Sequence, residues 1–269
     1  MKAESEHIEI SFFPKSHSKG ELFGINFSGG GAHISKTMML NEIEILLTSI
    51  KSDASLADYI NEIVEKNILN KKTESTRFES MRRLRSLYSL NGAIPIFDAL
   101  RKLSLKDSKS IPLLALLVVW SRDPFFRSTT PVVIDTKVGE YVDTISLANA
   151  FENSYPLQYS DSSKGTTARN CASTWAQAGY LIGHKKKQRV QLKITPAVIT
   201  LALYIGYSNG FQGSSVFDNP WCKLLCISPD RVRVLGQEAH KLGYLNLRSI
   251  GEVVQIEFPY FLTKFGESL

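Results

Sequence analysis

The chain of 269 residues is 43% hydrophobic and 22% charged, with 17 Gly and 10 Pro, a composition that excludes collagen-like, low-complexity and wholly disordered classes. Its 32 Lys and Arg against 26 Asp and Glu leave a net charge of +6, too small an excess to decide anything until its position is known. The three cysteines, Cys171, Cys222 and Cys226, supply no disulfide framework and fit a reducing cytosol, and the acidic start MKAESEHIEI predicts no secretory signal, so a cytoplasmic location is expected.

Residues 1–34 combine a weak apolar alternation (Ile8, Ile10, Phe12) with Gly29-Gly30-Gly31, read as a strand or loop arm. Ser35 is then expected to cap a helix carrying Met38, Met39, Ile43, Leu46, Leu47 and Ile50 at helical spacing. The pattern repeats over residues 54–69, and a third helix opens near Thr73 with Phe78, Met81, Leu84 and Tyr88 on one stripe. Arg82 and Arg83 fall off that stripe, and Asn91-Gly92 is expected to close the helix. Residues 94–104 and 111–121 complete a helical module spanning 35–130. Residues 111–120 and 194–207 are the most apolar stretches, but each falls short of the roughly 20 residues a spanning helix needs, so no membrane partner is expected.

The β-branched run at residues 131–137 (PVVIDTK) predicts a strand. A short helix follows at 146–154 with Ser146 as its cap, then a polar turn at 159–163 and a helix at 166–178 ended by Gly179. Strands at 180–183 and 189–194, joined by His184-Lys185-Lys186-Lys187-Gln188, give the order of a winged helix, assigned to residues 131–207. A shift of 64 residues carries Gly179-Tyr180-Leu181 onto Gly243-Tyr244-Leu245 and Val190-Gln191-Leu192 onto Val254-Gln255-Ile256, with Ser228-Pro229 starting the second helix. The expected fold is therefore mainly α: a helical N-terminal module followed by two winged-helix-like modules, the second over 208–269.

Charge separates the copies. Residues 163–194 hold 7 basic and no acidic side chains, whereas 227–258 hold 4 of each, and the second hairpin tip is Ser249-Ile250-Gly251. Residues 70–110 and 160–195, each net +6, carry the whole positive excess. This concentration points to a polyanion, and double-stranded DNA is the expected partner. Thr166, Thr167, Arg169, Asn170, Ser173, Thr174 and Gln177 would form the outer face of a recognition helix, above an inward stripe of Ala168, Cys171, Ala172 and Trp175. Arg suits guanine, Asn suits adenine, and short hydroxyls suit phosphate. Lys164, Lys185, Lys186, Lys187, Arg189, Arg82 and Arg83 would meet the backbone.

Catalytic motifs are thin. The run from Gly30 to Thr37 departs from a phosphate-binding loop because Ser35 replaces the Gly before Lys36. Asp123 with Asp135 and Lys137 resembles a metal-dependent nuclease arrangement, which is the alternative reading beside a protein-interaction scaffold. Cys222 and Cys226 lack a second ligand pair, and His33, His184 and His240 lack an obvious partner, so no metal, cofactor or catalytic residue is assigned.

Residues 35–44, 64–85 (VEKNILNKKTESTRFESMRRLR), 112–126 and 160–181 (SDSSKGTTARNCASTWAQAGYL) together resemble the BrxA family, a small component of bacterial BREX phage-exclusion systems. The resemblance spans roughly residues 22–207 and rests on the order of motifs. It implies a helix-rich DNA-binding protein of antiphage defence that acts beside other BREX proteins, such as the methyltransferase and the alkaline-phosphatase-like component. Residues 208–269 lie beyond the shorter members, so no role is carried over to them.

Overall fold

The computed structural model describes residues 13–51, 53–250 and 253–261, with the Ile250 side chain outside that description. The chain is mainly helical. Its first part comprises α1 (Ser18–Phe23), α2 (Leu40–Ser49), α3 (Leu56–Ile60, continued by a π turn at Asn61–Glu65), α4 (Glu74–Tyr88), α5 (Pro95–Lys106), α6 (Ile111–Arg122), α7 (Pro124–Arg127) and α8 (Thr130–Asp135). There follow β1 (Tyr141–Val142), α9 (Thr144–Ser154), α10 (Asp161–Gln177), β2 (Leu181–Ile182), β3 (Lys187–Arg189) and α11 (Pro196–Ser208). The last elements are α12 (Pro220–Leu224), α13 (Pro229–Lys241), β4 (Asn246–Ile250) and β5 (Val253–Glu257).

Side-chain caps set many of the helix starts. Thr73, Asp143, Ser160 and Ser228 each accept the amide three residues on, opening α4, α9, α10 and α13. Asn219 accepts the amides of Trp221 and Cys222 at the start of α12. Prolines occupy the first turn of α5, α6, α7, α8, α11, α12 and α13, where a missing N–H costs nothing.

The two most apolar segments are the central helices. Every residue of α6 from Leu113 to Ser121 is buried, as is every residue of α11 from Ala197 to Gly206, and the two pack on one another and on α5. A helix apolar all round must be enclosed on every side. Among the described residues no helix is long and apolar enough to cross a membrane. Trp120 of α6 meets Trp221 of α12 edge-on at 5.7 Å, and their indole N–H groups donate to Thr130 and Ser121.

Several boundaries differ from the sequence reading. Residues 131–137 do not form a strand: Pro131 lies in the first turn of α8, Val133 is buried, and Val132 and Ile134 pack on the core, so tertiary burial overrides β propensity. Ser35 is not the N-cap of α2. A 3₁₀ turn at Ala32–Ile34 precedes it, and α2 starts only after Met39, which takes φ 54° with its side chain buried. Helix α4 stops at Tyr88, with Ser89 and Leu90 at φ 72° and 47°, ahead of the expected Asn91-Gly92 stop. Asp143, not Ser146, caps α9, and the polar turn at 159–163 is the cap and first turn of α10.

β3 is the middle strand of an antiparallel sheet ordered β1-β3-β2, with Tyr141 and Ile182 both opposite Gln188. β4 and β5 form a separate hairpin running from the Asn246–Glu257 pair to the Ile250–Val253 pair. The two halves of the proposed repeat agree at the helix ends. Gly179 and Gly243 take φ 83° and 73°, and Tyr180 and Tyr244 donate back to Trp175 and Ala239 at 2.9 and 3.0 Å. They diverge in the returning strand: Ile182 pairs with Gln188, but Asn246, 64 residues later, pairs with Glu257 rather than with residue 252. Val190 and Val254 are therefore not equivalent. Val190 donates to the Tyr180 carbonyl, while Val254 sits opposite Ser249. The tip residue Gly251 lies outside the described residues, as does the Ile250 side chain.

Candidate nucleic-acid interface

Helix α10 buries the stripe its sequence announces. Ala168, Cys171, Ala172 and Trp175 are all buried, the Trp175 indole donates to Thr129 at 3.0 Å, and burial pushes the Cys171 thiol well above its usual range. On the outer side Arg169 is exposed and lies along the helix, its Nη2 2.9 Å from Thr166 Oγ1. Ser173 is half-buried and donates to the Arg169 carbonyl at 2.9 Å. Both remain at the surface.

Other residues expected on that face are spent inside the protein. Thr167 is wholly buried and its hydroxyl donates to the Ser163 carbonyl. Asn170 is half-buried and its Nδ2 donates to the His33 carbonyl at 2.9 Å, so its amide holds a distant segment rather than facing outward to read a base. Replacing Asn170 with Ala is expected to cost about 1 kcal/mol in a thermal melt and to leave any preference between two duplex sequences unchanged. A shifted preference with unchanged stability would return Asn170 to the reading face. Lys164 is half-buried between Asp161 and Glu152 at 2.8 and 2.9 Å, and the Asp161 contact, followed by Glu152, raises its pKa.

The hairpin after α10 divides in the same way. Lys185 and Lys186 are exposed, and among the described residues neither has a carboxylate within ion-pair distance. Gly183 makes this turn possible: it takes φ 101°, and a Cβ there would lie 2.2 Å from the Lys186 carbonyl oxygen. Lys187 is half-buried on β3 with Nζ 3.4 Å from the Gly183 carbonyl. Arg189 is no phosphate contact. It is 3% exposed, its guanidinium lies 4.9 Å from the Tyr180 ring centre, and it donates to the carbonyls of Tyr180 and Val190 and to Cys226 Sγ. It bolts the hairpin to the segment before α13.

On α4 the two expected DNA contacts share one counterion. Arg82 is exposed and reaches Glu79 at 2.8 Å, while half-buried Arg83 reaches it at 2.7 Å. Hydrogen bonds from Arg83, then from Arg82, hold the Glu79 carboxyl below its ordinary value.

The residues of the nuclease alternative occupy different environments. Asp135 and Lys137 are exposed at the end of α8, whereas Asp123 is 1% exposed. One oxygen of Asp123 accepts the Phe126 amide at 3.0 Å, capping α7, and the other meets His33 Nδ1 at 2.8 Å and the His33 amide at 3.2 Å. Among the described residues no group of three or more His, Cys, Asp or Glu could hold a metal. Lys36, of the phosphate-loop-like run, sits in the loop before α2 rather than at a helix start.

His33, scattered and partnerless by sequence, is the centre of a buried network. Its Nε2 lies 2.8 Å from Thr174 Oγ1, which also accepts the Met38 amide at 2.8 Å, and its ring stacks on Phe126 at 4.8 Å. Carboxylate, imidazole and hydroxyl follow in the order of an acyl-transfer triad, but His33 and Thr174 are 0% exposed. The arrangement clamps residues 31–38 onto α10. Gly31 is required for it, because a Cβ there would lie 1.9 Å from Asp123 Oδ1. The only trace of this site in the sequence is Asp123-Pro124, a helix-start pair.

No family model and no curated protein matches the chain.

Proposed function

We propose that the chain binds double-stranded DNA in a non-catalytic role, through α10 and the β2–β3 hairpin. The succession α8, β1, α9, α10, β2, β3 with strand order β1-β3-β2 supports reading residues 131–207 as a winged helix, α10 being the recognition helix and the hairpin the wing. The observation that carries the reading is the exposed pair Lys185 and Lys186 at the hairpin tip, directly after a helix that presents Arg169. With Lys187 and the exposed Lys193, these cations form a phosphate-binding set that survives the burial of Arg189 and the pairing of Lys164 with Asp161 and Glu152. Helix α13 with β4 and β5 is read as a reduced second module with a packing role. A place in BREX defence, contacts with other BREX proteins and a cytoplasmic location rest on the sequence resemblance and composition alone.

The test is DNA affinity as a function of salt. If about five phosphates are neutralised, log K falls with log[salt] at a slope near −4.5. Lys185→Ala with Lys186→Ala should weaken all duplex sequences alike and reduce the slope by about 1.8. A slope near zero, or one that the double variant leaves unchanged, sinks the interface.

A further inference from the structure

A second cationic site lies on α4. A surface groove of about 430 Å³ runs beside the end of this helix, lined by Arg82, Arg85, Ser86, Ser89, Asn91 and Arg122. Every polar side chain of that lining can donate a hydrogen bond, and none is a carboxylate. Leu56 and Ile94 supply its apolar walls. Across Arg82 and Arg85 a neighbouring groove of about 490 Å³ continues past Phe78, a ring 52% exposed, Met81 and Ser75, and includes Glu79, the carboxylate that Arg82 and Arg83 share.

The cations are not balanced from within. Among the described residues neither Arg85 nor Arg122 has a carboxylate within ion-pair distance, and Arg82 shares Glu79 with Arg83. Arg122 is fixed in place, its Nε donating to the Ser86 carbonyl at 3.1 Å and its Nη1 to the Gly24 carbonyl at 2.5 Å. Burial lowers its pKa to about 10, and no acidic neighbour opposes that shift. A desolvated guanidinium held by carbonyls alone is stabilised by any anion that reaches it. Ser86 and Ser89 add hydroxyl donors to the lining.

We propose that this groove binds a phosphoryl group. Guanidinium forks flanked by hydroxyl and amide donors suit a tetrahedral anion, whose oxygens accept from several directions, better than a planar carboxylate. The volume falls within the range of small-molecule sites, and the apolar walls with Phe78 give room for the group that carries the phosphate. A small phosphorylated molecule and a nucleic-acid backbone offer the same chemistry. The lining of the groove includes no residue of α10 or of the β2–β3 hairpin.

The test is calorimetric titration of the full chain with pyrophosphate, with ADP and with a short DNA duplex. Pyrophosphate or ADP should bind, and Arg85→Gln, on an exposed side chain, should weaken that binding about tenfold or more. Arg122→Lys, which keeps the charge and loses the fork, should weaken it as well. Lys185→Ala with Lys186→Ala should leave pyrophosphate affinity unchanged, which separates failure here from failure of the hairpin interface. Loss on Arg85→Gln confined to the duplex supports the site and assigns its phosphate to nucleic acid. Unchanged affinity for all three ligands in Arg85→Gln, or no binding of any by the native chain, overturns the proposal.

Discussion

Asp123→Ala is expected to destabilise the fold by about 3–5 kcal/mol, because it leaves several buried donors without an acceptor at about 1–3 kcal/mol each. Three donors converge on this carboxylate, and its loss leaves the Phe126 amide, the His33 amide and the His33 ring without an acceptor. Burial works against the charged form, but the His33 ring, the Phe126 amide and the His33 amide outweigh it and leave the carboxyl below its ordinary 3.8. A depressed folded-state pKa binds protons less readily than the unfolded one. The stabilisation is therefore complete above the unfolded value and is lost as pH falls through the folded one. Urea melts of the native chain and of Asp123→Asn between neutral and acid pH check this. Asp123→Asn should be less stable at neutral pH and should lose stability less steeply on acidification. An acid limb of the same depth in both proteins would assign it to other carboxylates.

Trp120→Ala should cost a similar amount, about 3–5 kcal/mol. The indole is wholly buried at the end of α6, donates to Thr130 Oγ1 at 2.8 Å and abuts Trp221. It also lies 5.6 Å from the guanidinium of Arg127, which is 5% exposed and whose pKa burial lowers to about 10. Truncation opens a cavity and strips that cation of its ring at once. Trp120→Phe keeps a ring there and should lose markedly less. A loss below about 1 kcal/mol for Trp120→Ala in denaturant titration would mean that the α6–α12 contact is dispensable.

The elements most legible in the sequence are those fixed by local chemistry. Ser228-Pro229 starts α13, Gly179 ends α10, and apolar runs of limited length become α6 and α11. The misread segments are those decided at long range. Residues 131–137 carry strand propensity, yet 131–135 are helical, with Val133 buried. Asn170, Thr167 and Arg189 have side chains suited to DNA, but their hydrogen bonds go to the His33, Ser163 and Tyr180 carbonyls. Periodicity separates inward from outward positions without showing which polar group has a partner across the fold. Lys185, Lys186 and Arg169 are placed as expected because a turn tip and an outer helix face are local properties.

The His33 clamp also constrains the order in which a growing chain can fold. A chain synthesised as far as Phe151 contains His33 and Asp123, but neither Asn170 nor Thr174. Until α10 leaves the ribosome, residues 31–38 have only half of their anchors, and the Asp123 carboxylate lacks the cover that Thr174 completes around His33. Helix α10 is thus also the last piece needed to seat residues 31–38. A nascent or truncated chain that lacks α10 therefore has an incompletely seated N-terminal part, so that seating of residues 31–38 waits on the emergence of a helix more than a hundred residues later.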